Sequence, residues 1–201
     1  MANKSKFVSG EVRFSYLNIF EPKASSYGGD AKYSVTILMP KSDTASKQRL
    51  DAVIAQVRQE AVSEKWGGVN PPLVQIAIHD GDGVKPNSGE PYGDECKGHW
   101  VLTASSKTPP DAADQNLNPF VTKTELYSGC YGRVGINPFA YNSNGRKGIG
   151  FSLNTIQKLR DGEPLGGGNY SAASDFAAPT DGYTPPAAQI DPITGLPMAR
   201  G

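Results

Sequence analysis

The run "YGRVGINPFAYNSNGRKGIGFSLNTIQKLR", residues 131–160, alternates in period two on both sides of Asn144-Gly145. Successive side chains of a strand point to opposite faces. Tyr131, Arg133, Gly135, Asn137, Phe139 and Tyr141 therefore share one face, and Gly132, Val134, Ile136, Pro138 and Ala140 the other. Asn-Gly suits the positive φ angles of a two-residue turn, which makes this a hairpin signal. In the returning arm Ile149, Phe151, Leu153 and Thr155 share a face expected to pack with Val134 and Ile136. Three rings and a guanidinium are left on the side where water is expected.

Such a face has two readings. Rings beside cations can stack nucleic-acid bases of any sequence, each stacked base contributing about 1–3 kcal/mol. Alternatively, Phe139 and Tyr141 cover the base of a loop or a helix. Arg133, set among the rings, leans toward the first, because a groove for phosphates gives a guanidinium its partners.

Upstream, "VRFSYLNIFEP" (12–22) reads as a strand with apolar groups on both faces, so its core side is left open. "AKYSVTILMP" (31–40) is a second strand, with Tyr33, Val35, Ile37 and Met39 on one face. A helix follows. Leu50, Val53, Ile54, Val57, Ala61 and Val62 form one apolar stripe, Ser42 or Asp43 supplies the N-cap, and Gly67-Gly68 stops it after Trp66. "LVQIAIHDGDG" (73–83) is a strand into a turn, "GHWVLTASS" (98–106) another strand, and "KTPPDAADQNLNP" (107–119) a Pro-rich loop. Five or more short strands with one inserted helix suit a partly open five-stranded barrel of the OB-fold kind.

Residues 1–168 are expected to form that domain, and residues 169–201 a flexible Gly/Pro/Ala-rich tail without hydrophobic period. Hydrophobic content of 37% with 23 Gly and 16 Pro agrees with an unpacked portion. Formal net charge is zero. Residues 166–201 carry Asp175, Asp181 and Asp191 against Arg200, so residues 1–165 hold 19 basic and 17 acidic side chains. That balance argues against a polyanion binder working through bulk charge and asks for a local groove.

No apolar run approaches the roughly 20 residues of a membrane span, and "MANKSKFVSG" lacks the apolar core of a secretory signal. Cys96 and Cys130 read as ordinary cytosolic thiols. "HDGDG" (79–83) offers two carboxylates but no calcium loop, since Pro91 stands where the bidentate Glu belongs. No P-loop, Ser-His-Asp or Cys-His pattern occurs. No enzymatic activity, cofactor or metal is expected.

Several runs together resemble the single-stranded DNA-binding proteins of tailed bacteriophages, of the type described from an Enterobacter phage. They are "VRFSYLNIFEP", "YSVTILMPK" (33–41), "LTASSKTPP" (102–110), the whole of 126–168, and "SDF" (174–176). The resemblance implies an OB-fold that coats single-stranded DNA during phage replication, recombination and repair in the cytoplasm of the infected bacterium. It also implies a C-terminal tail that competes with DNA and contacts replication proteins. Tails of that class are strongly acidic and end in an aromatic, whereas this one is weakly acidic and ends "PMARG". The DNA contacts expected are Tyr131, Arg133, Phe139, Tyr141, Arg146 and Lys147 on the hairpin, with Arg13 and Tyr16 from the first strand. A phage structural or carbohydrate-binding β-domain is the alternative, although sugar sites favour rings flanked by Asp, Asn and Glu rather than by cations.

Overall fold

The computed structural model describes residues 5–24, 29–120, 123–143 and 145–165. Its elements in chain order are β1 (Phe7–Val8), β2 (Val12–Lys23), β3 (Lys32–Pro40), α1 (Thr44–Glu64), β4 (Gln75–Ile76), β5 (Ile78–Asp80), β6 (His99–Ser106), β7 (Asp111–Ala113), β8 (Tyr131–Ser143) and β9 (Arg146–Arg160). The expected hairpin is the longest pairing, running from Tyr131↔Arg160 to Ser143↔Arg146, with Gly145 at φ +79° in the connection.

Five strands close a ring in the order β8-β2-β3-β6-β9 and back to β8. Two joints are narrow. β2 meets β8 only at Val12↔Gly132 and Arg13↔Tyr131, and β6 meets β9 through one parallel pair, Ser105↔Ser152. This is the partly open barrel of an OB-fold, as expected. β1 and β5 add antiparallel pairings, and β4 and β7 add parallel ones to β9.

Inside lie Val12, Phe14, Val35, Ile37, Met39, Leu102, Val134, Ile136, Ile149, Phe151 and Leu153. Helix α1 contributes Leu50, Ile54, Val57 and Ala61 to the same core, as its stripe required. Burying a side chain such as Leu50 contributes about 1.5–3 kcal/mol. Asp43 is the N-cap, its carboxylate accepting from the Ser46 amide at 3.0 Å. The helix ends at Glu64, and the chain turns through Gly67 and Gly68 at φ +71° and +79°.

Two bulges account for what the alternation did not foresee. In β2 the register to β3 shifts between Ser15 and Asn18, with Tyr16 at φ +45°. Phe14 points inward before the bulge and Ile19 after it, which is why both faces of the sequence carry apolar groups. In the hairpin, Gly135 pairs with Thr155 but Ile136 with Leu153, so Asn154 is the extra residue. Thr155 is thereby lifted out of the core, and Ile156 takes the place opposite Val134. The Pro-rich stretch 107–119 also contains a strand, β7, held by β9 rather than by any pattern of its own.

Leu38 and Val101, paired across β3 and β6, point out of the barrel. The segment between β5 and β6 folds back over them, placing Cys96 and Tyr92 on this second apolar cluster. Both cysteines are buried free thiols, and burial pushes that of Cys96 up to about 11. Gly81 is forced at the root of that segment, since a Cβ there would stand 2.0 Å from the Cys96 carbonyl oxygen. Among the described residues no helix is long and apolar enough to cross a membrane.

Candidate nucleic-acid interface

Three clefts of about 310, 550 and 520 Å³ share lining residues and run into one another. The first and second share Ala77, His79, Lys85 and Tyr92, and the second and third share Gln75 and Tyr141. The groove starts at Tyr16 on β2, crosses Thr36 and Thr103, passes between His79 and the 85–92 segment, and ends at Tyr141 and Arg146.

Its aromatic groups are held by backbone devices. The β2 bulge turns Tyr16 outward to 72% exposure, and the Asn18 side-chain amide donates to the Tyr16 carbonyl at 3.0 Å. Tyr141 lies against Gly148, its cross-strand partner, where a Cβ would stand 2.3 Å from the phenol oxygen. The residues just after α1 fix the hairpin beneath that ring. Lys65 donates to the Ala140 carbonyl at 3.1 Å, the Trp66 indole to the Tyr141 carbonyl at 3.2 Å, and Lys147 to the Trp66 carbonyl at 3.3 Å.

Electrostatically the groove is mixed. Lys85 and Arg146 are exposed cations, Lys85 standing 3.9 Å from Glu90, while Glu95 lines the Tyr16 end. Burial lowers the pKa of His79 below its ordinary value and raises that of Tyr92. The centre is thus partly desolvated, and charge–charge contacts made there are stronger than in bulk water.

The expected contacts do not all meet. Tyr16, Tyr141 and Arg146 share the groove, and Lys147 turns from it toward α1. Arg13 and Tyr131 form a separate cluster. The guanidinium groups of Arg160 and Arg13 approach the Tyr131 ring at 3.6 and 5.5 Å from its centre. Arg13 donates to the carbonyls of Gly129 and Glu163, and Arg160 to Glu11. Arg133 lines another cleft with Val8 and Leu117, and Phe139 one with Glu60 and Glu64 of α1. Phe139 and Tyr141 do stand, as the alternation requires, on the side of β8 opposite Val134 and Ile136.

Tyr92, His79 and Lys85 were missed by sequence reasoning. Their one signal was outward-pointing Leu38 and Val101, apolar groups that demand a covering segment. In the "HDGDG" turn Asp80 and Asp82 clamp Lys41 at 2.5 and 2.6 Å, which lowers both their pKa values. Leu165 packs on the same outer cluster as Tyr92, and its amide donates to the Ser128 carbonyl at 2.8 Å.

The family model of the single-stranded DNA-binding protein of Enterobacter phage Enc34 matches residues 5–184. The chain belongs to this family. It is 30% identical over 175 residues to putative protein p50 of Acyrthosiphon pisum secondary endosymbiont phage 1, covering 85% of this chain and 92% of that one. Among solved structures, the single-stranded DNA-binding protein of bacteriophage Enc34 in complex with single-stranded DNA superposes with a TM-score of 0.69 at 29% identity. That match covers 81% of this chain and 90% of that one. The bacteriophage T7 protein gp2.5 shares the fold, with a TM-score of 0.56 at 15% identity over 90% and 98% of the two chains.

Proposed function

We infer that this protein binds single-stranded DNA without reading its sequence, along the groove from Tyr16 to Arg146, and acts by binding alone. The observation that carries this is the spacing of three rings, Tyr16, Tyr92 and Tyr141, with Lys85 and Arg146 along one continuous groove on an OB barrel. Rings accept any base, and the cations take phosphates. The Enc34 protein, a family member of the same barrel, was solved with single-stranded DNA, which supports the reading. Phe139, which lines a separate cleft against α1 rather than the groove, is left out of the path. So are Arg13 and Tyr131, whose cations are engaged in holding the chain.

In this reading the protein coats strands exposed during phage DNA replication, and during recombination and repair, in the cytoplasm of the infected bacterium. Residues 169–201, outside the described residues, form a tail that competes weakly for the groove and engages replication proteins. The test is an anisotropy titration with labelled oligo(dT), against a neutral oligosaccharide as control. The Tyr16→Ala/Tyr141→Ala double variant should lose most of its affinity for oligo(dT), and Phe139→Ala little. Equal losses in the two variants, or tighter binding of the sugar, overturn the assignment.

A further inference from the structure

Lys23 and Lys32 stand directly opposite each other where β2 and β3 pair beyond the bulge. Both are exposed, and neither has a hydrogen-bond or ion-pair partner among the described residues. Like charges directly across a ladder destabilise it. Nearby carboxylates offset the pair only in part. Lys107 holds Asp30 at 2.7 Å, and the Asp30 pKa is lowered chiefly by Lys107 and least by Lys32. Glu21 precedes Lys23 by two residues, so this end of the hairpin carries Lys23, Lys32 and Lys107 against two carboxylates.

A polar row leads from the groove to this pair. On the outer face of β3, Thr36, Ser34 and Lys32 follow in period two, since Val35 and Ile37 point into the core. Thr36 and Thr103, at the Tyr16 end of the groove, face each other with their hydroxyls 3.2 Å apart. One step further along, away from His79, Ser34 lies between Asn18 of β2 and Ser105 of β6. From Thr36 to Lys32 the strand rises about 13 Å. Hydroxyls along such a row contact phosphate and sugar oxygens without selecting a base.

We propose that single-stranded DNA leaving the groove at Tyr16 continues over Thr36 and Ser34, where Lys23 and Lys32 together clamp one of its phosphates. A phosphate between the two ammonium groups replaces their repulsion with two charge-assisted contacts, which accounts for a pair that weakens the free ladder. This subsite rests on the DNA-binding reading of the groove and lengthens it beyond Tyr16.

The test is anisotropy with oligo(dT) of increasing length, with urea denaturation of the same variants. Lys23→Glu turns the like-charged pair into an opposite-charged one. It should leave the urea midpoint unchanged or higher and weaken binding of long oligomers about two- to fivefold. The slope of log K against log salt should fall by about 0.7, one phosphate. The shortest oligomers that bind fill only the groove and should not distinguish this variant from the wild type. Lys23→Arg should keep wild-type affinity at every length, and Lys6→Glu, the same charge change just before β1, should alter it little. Wild-type affinity of Lys23→Glu for long oligomers overturns the proposal. An equal loss in Lys6→Glu does so too, because it reports bulk charge. A loss at every length places the lysine's effect in the groove itself, and a lowered urea midpoint makes the pair structural; either result overturns the subsite. The Tyr16→Ala/Tyr141→Ala variant separates the two readings. Undiminished affinity there sinks the groove, whereas an unaffected Lys23→Glu sinks the subsite alone.

Discussion

Tyr141 faces Gly148 across the β8–β9 ladder, and the phenol occupies the space a Cβ on Gly148 would need. The same Cβ would stand 2.7 Å from the Gln75 carbonyl oxygen of β4. Gly148→Ala should therefore displace the ring and loosen β4 together. We expect oligo(dT) affinity to fall by about 1–3 kcal/mol, the worth of one stacked base. An unchanged affinity in the anisotropy titration removes Tyr141 from the binding path.

Tyr16 offers a sharper separation of binding from stability. A non-glycine residue at φ +45° is held against a cost on the order of 1–2 kcal/mol. Its ring is 72% exposed, so little packing is lost with it. Tyr16→Gly should raise stability in urea denaturation by about 0.5–1 kcal/mol while weakening DNA binding by about 1–3 kcal/mol. Loss of stability together with binding means the ring is structural.

His79 makes binding and stability respond to pH in opposite directions. Burial lowers its folded pKa, so the unfolded chain takes up the proton first as pH falls below about 6.5. Stability contributed by the neutral imidazole is present above that value and lost as pH falls toward the folded pKa. Phosphate beside His79 favours the imidazolium, so affinity should rise between about pH 8 and about pH 6. His79→Gln should flatten both profiles. A wild-type affinity that is constant over this range excludes His79 from the phosphate path.

Salt dependence should be shallow. Lys85 and Arg146 are the groove's permanent cations, and each phosphate contact contributes about −0.7 to the slope of log K against log salt. A slope of roughly −1 to −2 is expected, because stacking is insensitive to salt. Values near −7, on the order of ten contacts, point to a basic surface elsewhere on the protein.

What was legible followed from short-range pattern. The 131–160 hairpin was readable because Val134, Ile136, Ile149, Phe151 and Leu153 alternate around Asn-Gly, and α1 because Leu50, Ile54, Val57 and Ala61 repeat at helical spacing. Bulges defeat that logic. One extra residue at Tyr16 or at Asn154 inverts the faces beyond it, and nothing local announces it. Strand β7 and the Tyr92 wall are further out of reach, since both depend on partners distant in the chain: β9 for the first, Leu38 and Val101 for the second. The candidate site was legible at its ends, Tyr16 and the hairpin tip, and not in its middle.

The tail supplies the last prediction. Residues 169–201 lie outside the described residues and carry three aspartates. Under the proposed function, these carboxylates compete with phosphate for the groove. As the flexible tail its composition predicts, about 30 residues would explore roughly 30 Å and stay at millimolar local concentration. A net charge of −2 for residues 166–201 limits the competition to about 1 kcal/mol, in line with the small worth of exposed ion pairs. Truncation after Gly168 should therefore leave thermal unfolding unchanged and raise affinity for single strands by up to roughly fivefold, the factor corresponding to that energy. Binding of duplex DNA should rise at least as much on truncation. Paired gel-shift titrations of both proteins at one salt concentration read both effects. If truncation weakens single-strand binding, the tail is part of the binding surface rather than a competitor for it.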